Sequence, residues 1–308
     1  MSTVDPLNPG LPAPGGSETP IVDGVQPRRL EPHILRGLRR SRNGRIGLIL
    51  VGLVVLGALL SAVGLTPHPP QFQDPSAVLK GPSFDHPFGT DNFGRDVFSL
   101  SLAGIGVSLE IACIATLIAG VVGTLGGIVA GYLGGFSATV VLRSADIIFA
   151  IPAILLALAI VTALGPGILD SALAIGIGYI PIFVRVVRAP VLSLRNADFV
   201  RGGQVLGFSR TRLLLRHILP NVYGVIAVQV SLALAWAILA EASLSFLGLG
   251  PPPPTASLGE MVFSASSLAG IAWWTLAGPS VVIIVAVIGF NLLGDGFRDA
   301  TDPRTRSS

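Results

Sequence analysis

The sequence predicts an all-α polytopic membrane protein with six transmembrane helices, and three observations carry that prediction. Charged residues are only 12% of the 308 residues, whereas hydrophobic ones are 51%; an average soluble domain is about a quarter charged. The mean hydropathy is +0.75. The charges gather into a few clusters, and the apolar runs between them are about 20 residues long, the length a helix needs to cross roughly 30 Å of hydrocarbon. Such a chain has too little polar surface to cover a globule in water, so the bilayer is its solvent.

Residues 1–35 are rich in Pro, Gly and Ser and lack hydrophobic periodicity, which predicts a disordered tail. A basic cluster (Arg36, Arg39, Arg40, Arg42, Arg45) abuts the charge-free run from Ile46 to Leu65, and 36–65 reads as an anchor and first span. A cleaved signal peptide is the rival reading, but its basic region should start close to Met1 and its apolar core should be shorter. Residues 66–106, with Pro67, Pro69, Pro70, Pro75, Pro82 and Pro87, are too polar for lipid and read as an extramembrane loop. Span two is expected from Val107 to Leu133, ended by Gly134-Gly135, and span three from Ile147 to Leu164, ended by Gly165-Pro166-Gly167. Span four is short, Ser171 to Val184, with Arg185 and Arg188 able to snorkel. Span five starts near Val222 and stops before Pro251 to Pro254, and span six runs from Thr275 to Leu293. Together 107–298 form a five-helix core containing a long connection at 188–220, and 299–308 form a C-terminal tail.

Charge placement orients the bundle, because short flanking segments rich in Lys and Arg stay on the cytoplasmic side. With both termini inside, only Lys80 and Arg95 of the 20 basic residues lie outside. The net charge of +3 is therefore a topology signal and not a nucleic-acid footprint, since the arginines end apolar runs and form no basic face. Trp273 and Trp274 sit where interfacial anchors are expected. The one cysteine, Cys113, excludes a disulfide framework and a Cys-based metal site.

The residues exclude catalysis more readily than they assign it. The single lysine, Lys80, lies in no G-x-x-x-x-G-K-[ST] context, so nucleotide hydrolysis by a P-loop is not available. His33, His68, His86 and His217 show no helical metal-ligand spacing, and no metal site is expected. Glu110, Asp146 and Glu241 fall near enough to span ends to read as interfacial carboxylates, which disfavours an ion-coupled carrier. Gly123, Gly127 and Gly131 repeat at small-xxx-small spacing and predict close helix packing.

The connection from Arg188 to Pro220 is the most informative segment. Seven arginines lie between Arg185 and Arg216. Residues 197–206 suit a short helix that projects Phe199, Leu206 and Val205 and breaks at Gly207, and 211–219 suit a second helix before Pro220. Two short helices presented to the cytosol fit a partner's groove.

Here the sequence resembles a known family. Gly203, Gly207 and Pro220 keep the spacing of the EAA loop of ABC importer permeases, while Arg201 stands in place of its acid and Gly202 and Gly203 in place of its alanines. In the first loop, His86-Pro87-Phe88-Gly89-Thr90-Asp91 followed by Gly94-Arg95-Asp96-Val97 is similar to the HPLGTD-x-x-GRDV signature of C-type permeases in the dipeptide/oligopeptide (peptide/nickel) class. Residues 290–299, FNLLGDGFRD, leading to Asp302-Pro303-Arg304, are similar to their closing sequence. The resemblance implies a type I (MetI-like) permease fold in the plasma (inner) membrane, in contact with lipid. It implies a second permease subunit, an external substrate-binding protein, peptide as substrate, and two cytoplasmic ATPase subunits or domains that bind ATP and Mg while this chain binds no cofactor. Phe199, Arg201, Gly202, Gly203, Leu206, Gly207 and Pro220 would then be the ATPase-coupling loop. Nickel or another solute of the same importer class is the alternative cargo, and an ion-coupled secondary transporter the alternative mechanism.

Overall fold

The structure, a computed structural model, describes Leu38 and residues 41–301. The expected tail 1–35, the basic residues Arg36, Arg39 and Arg40, and the chain from Asp302 onward lie outside the described residues. Among the described residues there are α-helices, π-helical and 3-10 turns, and one isolated antiparallel bridge between Thr90 and Asp96. Five continuous helices are long and apolar enough to cross a membrane, and a bent helix pair makes a sixth span when counted as one.

Helix α1 (Arg42–Ala62) starts at Ser41, whose hydroxyl accepts from the Gly44 N–H. Its apolar residues point all round, as suits a helix with lipid on one side and protein on the other. Helix α2 (Val97–Ile128) runs on through a π-turn at Val129–Leu133. It begins at Val97 and not at Val107, which shortens the expected loop 66–106. The polar-looking start V-F-S-L-S is compatible with a helix because Ser101 returns its hydroxyl to the Val97 carbonyl at 2.6 Å and both serines are buried.

The third span departs furthest from expectation. Helix α3 (Gly135–Phe149) restarts directly after Gly134, and α4 (Ala153–Leu164) follows a break at 150–152; the two axes differ by 84°. Ile151 precedes Pro152, whose ring disfavours the α region for the residue before it. Helix α5 (Ile168–Arg195) contradicts the short fourth span, passing through Pro181 and Pro190. A membrane helix tolerates such prolines because neighbouring helices absorb the local irregularity.

After α5 come α6 (Asp198–Val205) and α7 (Arg210–Leu213), then a π-turn at Leu214–Ile218 that leads without a break into α8 (Leu219–Phe246). The expected second short helix is thus the beginning of the fifth span, and the connection 188–220 narrows to residues 196–209. Pro220 is the second residue of α8, directly after the π-turn, the kind of helix irregularity that accompanies a proline lacking its N–H. Helix α9 (Leu258–Ser266) is an unexpected short helix capped by Ser257, and α10 (Trp273–Thr301) is longer at both ends than the expected sixth span.

Helix α2 packs most extensively against α5, and α10 against α1 and α8. The main core is rich in alanine, including Ala112 and Ala115 from α2, Ala172 and Ala174 from α5, and Ala235 and Ala237 from α8. Small side chains let helix backbones approach where burial against lipid supplies little driving force. Gly123, Gly127 and Gly131 serve the same end on the α2–α5 face: a Cβ on Gly127 would stand 2.8 Å from the Val184 carbonyl oxygen, and one on Gly131 2.8 Å from a Val191 methyl. At Gly123 it would overlap the Phe183 side chain.

Candidate functional site

Three polar or exposed constellations stand out. The first is the segment 66–96, which is held together by its own side chains. Asp91 is its hub: one carboxylate oxygen accepts from the N–H groups of Phe93 and Arg95 at 2.8 and 2.9 Å, and the other from Arg95 Nε at 2.7 Å. The Arg95 guanidinium also lies 4.9 Å from the centre of the Phe93 ring. Thr90 is fully buried; its hydroxyl donates to the Ala77 carbonyl and accepts from the Lys80 N–H, while its own carbonyl accepts from Trp274 Nε1 at 3.2 Å.

Gly89 and Gly94 have φ of +68° and +73°, the left-handed region. A Cβ would meet the Trp274 ring at Gly89 and the Asp74 carbonyl at Gly94. Asp96 caps α2, its carboxylate accepting from the Ser99 N–H at 2.8 Å, and its other oxygen lies 2.9 Å from His86 Nδ1. Every signature residue from Gly89 to Asp96 therefore has a local role in folding the loop onto the start of α2. On the rim, the Ser76 hydroxyl and then its N–H, at 2.7 and 2.8 Å, hold the exposed Asp74 carboxyl below its ordinary value.

The second constellation is α6 and the turn after it. Asp198 sits in the first turn, where a carboxylate complements the helix dipole. At the other end the Gly207 N–H donates to the Gln204 carbonyl and the Phe208 N–H to the Gly203 carbonyl, both at 3.0 Å, with Gly207 at φ +75°. That pair of bonds is a Schellman cap. Its apolar contact explains Gly203, where a Cβ would come within 3.1 Å of the Phe208 ring and 2.8 Å of Leu213. Gly202 faces open space and no contact requires a glycine there.

The helix is anchored by one residue that sequence reasoning passed over. Val200 is fully buried in a cluster with Ile128 at the end of α2 and Tyr132 of the π-turn after it, Val187 and Val191 of α5, and Ile218 and Val222 at the start of the fifth span. Phe199 is partly exposed, Arg201 is exposed, and Val205 and Leu206 are 88% and 74% exposed. Val200 lies one position from Phe199, and a step of about 100° per residue turns it to a different side of the helix.

The third is Glu241. The expectation of an interfacial carboxylate is overturned: Glu241 is 1% exposed and accepts from the hydroxyls of Ser108 at 2.5 Å, Ser245 at 2.8 Å and Ser257 at 3.4 Å. It joins α2, α8 and the cap of α9. Ser245, one turn on, was a visible signal; Ser108, 133 positions away, was not. Glu110 is exposed, and Asp146 pairs with Arg185 at 2.8 Å in partly exposed surroundings, the same arginine standing over the Phe149 ring at 4.2 Å.

Five continuous apolar helices and a bent pair, joined by a self-bonded loop and an anchored but exposed short helix, define a polytopic membrane protein. The chain belongs to the family described as binding-protein-dependent transport system inner membrane component, which matches residues 123–307. It is 41% identical over 271 residues to a putative peptide transport system permease protein of Brucella suis biovar 1, covering 88% of this chain and 91% of that one. It is 40% identical over 270 residues to the dipeptide transport system permease protein DppC of Alkalihalophilus pseudofirmus, with 88% of each covered. With the glutathione transport system permease protein GsiD of an Escherichia coli O6 strain it shares 38% identity over 288 residues, 93% of this chain and 95% of the relative.

Proposed function

We propose that this chain is one of two permease subunits of an ATP-driven importer and moves peptides delivered by an external binding protein. The reading of the cargo is supported by the names of the relatives, which are permeases for peptides, dipeptides and glutathione. Both termini and the 196–209 segment are cytoplasmic in this reading, and 66–96 is external, following the distribution of Lys and Arg.

The observation that supports coupling is the two-faced character of α6. Val205 and Leu206 are offered to solvent, while Val200 plugs into the cluster that joins α2, α5 and the start of the fifth span. An ATPase subunit gripping the exposed face would move three spanning helices through the buried one. ATP and Mg, held by those ATPase subunits, would bias the bundle between two arrangements by binding one of them better.

The test is transport in proteoliposomes containing the two permeases, the ATPase subunits and the binding protein. Dipeptide uptake should require ATP and persist when ion gradients are collapsed. Uptake driven by an ion gradient without ATP would refute the proposal.

A further inference from the structure

We infer that His68, His86 and Asp96 form a binding site for one divalent first-row transition-metal ion at the junction between the 66–96 segment and α2. No helical spacing unites these residues; the loop fold does. Their candidate ligand atoms all lie within 4.8 Å of one another, the one such group of His, Cys, Asp and Glu among the described residues. The rings of His68 and His86 are 4.6 Å apart between centroids and tilted by 30°, and His86 Nδ1 lies 2.9 Å from the Asp96 carboxylate.

One feature distinguishes this from an ordinary capping contact. His68 Nδ1 is buried and has no hydrogen-bond partner among the described residues. An imidazole nitrogen shut away from water without a partner is a cost that a bound cation would remove. Asp96 is itself 2% exposed and is fixed by its bond from the Ser99 N–H, so the carboxylate is oriented by the helix it caps.

Two imidazoles and a carboxylate are the donor set that Zn²⁺ and its neighbours accept, at about 2.0–2.2 Å from each ligand, with a fourth position left for water. Ligands around such a tetrahedral ion stand about 3.3 Å apart, so only small side-chain movements close the site. An ion there would tie the chain just after α1, the middle of the loop and the first residue before α2 to one another.

The chain has four histidines, so the site can be isolated cleanly. The full-length chain, purified without a polyhistidine tag and stripped of metal, is titrated with Zn²⁺ by calorimetry and with Co²⁺ by visible absorption. One equivalent should bind to the wild type and to His33→Gln/His217→Gln, and Zn²⁺ should raise the melting temperature of both. His68→Gln and His86→Gln should each lose at least about tenfold in affinity, and His68→Gln should keep its metal-free melting temperature, since its Nδ1 bonds nothing among the described residues. Absence of saturable binding to the wild type, or wild-type affinity in His68→Gln, would overturn the site. The measurement needs no transport partner, so it stands or falls separately from the proposed import function.

Discussion

The segment between α1 and α2 and the segment between α5 and α7 are both polar connections between spanning helices, yet they are ordered in opposite ways. In 66–96 most of the order is internal: Asp91, Thr90 and Asp96 each bond to backbone or side-chain groups of the same segment, and Trp274 closes over the top. In 196–209 the order comes from one buried valine and a helix cap, while the large apolar residues at its tip face solvent. A loop with that many internal bonds, tied to the rest of the same chain at Trp274 and Ser99, can keep its shape without a partner subunit. A short helix presenting Val205 and Leu206 exposes apolar area that a partner would bury, at about 25 cal/mol per Å².

The contrast is broken most severely at Asp91. Asp91→Ala removes the acceptor for two backbone N–H groups and the partner of Arg95, largely away from water, and should cost about 3 kcal/mol. The expected readout is rapid hydrogen exchange and proteolysis confined to 66–96, with the spanning helices still protected.

A smaller effect on folding, with a larger one on coupling, is expected at Gly207. No atom lies within 4 Å of where its Cβ would stand, so the penalty of Gly207→Leu is conformational only, about 1–2 kcal/mol for a left-handed residue. The variant should insert and pair normally yet lose stimulation of the ATPase by loaded binding protein. Gly207→Asn, which tolerates that conformation, should retain most of it. Equal loss in both variants would show that the cap geometry is not what matters.

The mildest test concerns Asp74. Its depressed pKa means that the ionised form is favoured by folding, so the contribution is complete above the ordinary value of 3.8 and is lost as pH falls through the lower folded-state value. Ser76→Ala removes the largest cause, and protection of 66–96 against exchange should then fail at a higher pH than in the wild type.

How much of this was legible in the sequence follows from which forces act locally. The spans declared themselves because lipid imposes a length of uninterrupted apolar residues, and the Gly207 break was visible because only glycine adopts φ of +75° at little cost. What was missed depended on distant partners. Val97 became a helix start because Asp96 caps it and its serines bond back into the helix. Pro181 and Pro190 failed as stops because the bundle supports α5. The expected third span, 147–164, holds only the end of α3 together with all of α4, because most of the first arm of the bent pair was read as a connection. Glu241 was judged by its distance from the span end, but its three serine partners come from two other parts of the chain as well as its own helix. Val200 was overlooked because one valine among Phe199, Val205 and Leu206 carries no mark of which face is buried.

The most direct test of the account asks which of the two segments the ATPase touches. Cysteine is placed at the exposed tip of each, as Val205→Cys and as Phe84→Cys, in a Cys113→Ser background that removes the chain's one native thiol. The assembled transporter is then treated with a short bifunctional thiol reagent. The account predicts a crosslink from position 205 to an ATPase subunit and none from position 84. An ATPase that co-purifies but is never captured from position 205, or is captured from position 84, would contradict it.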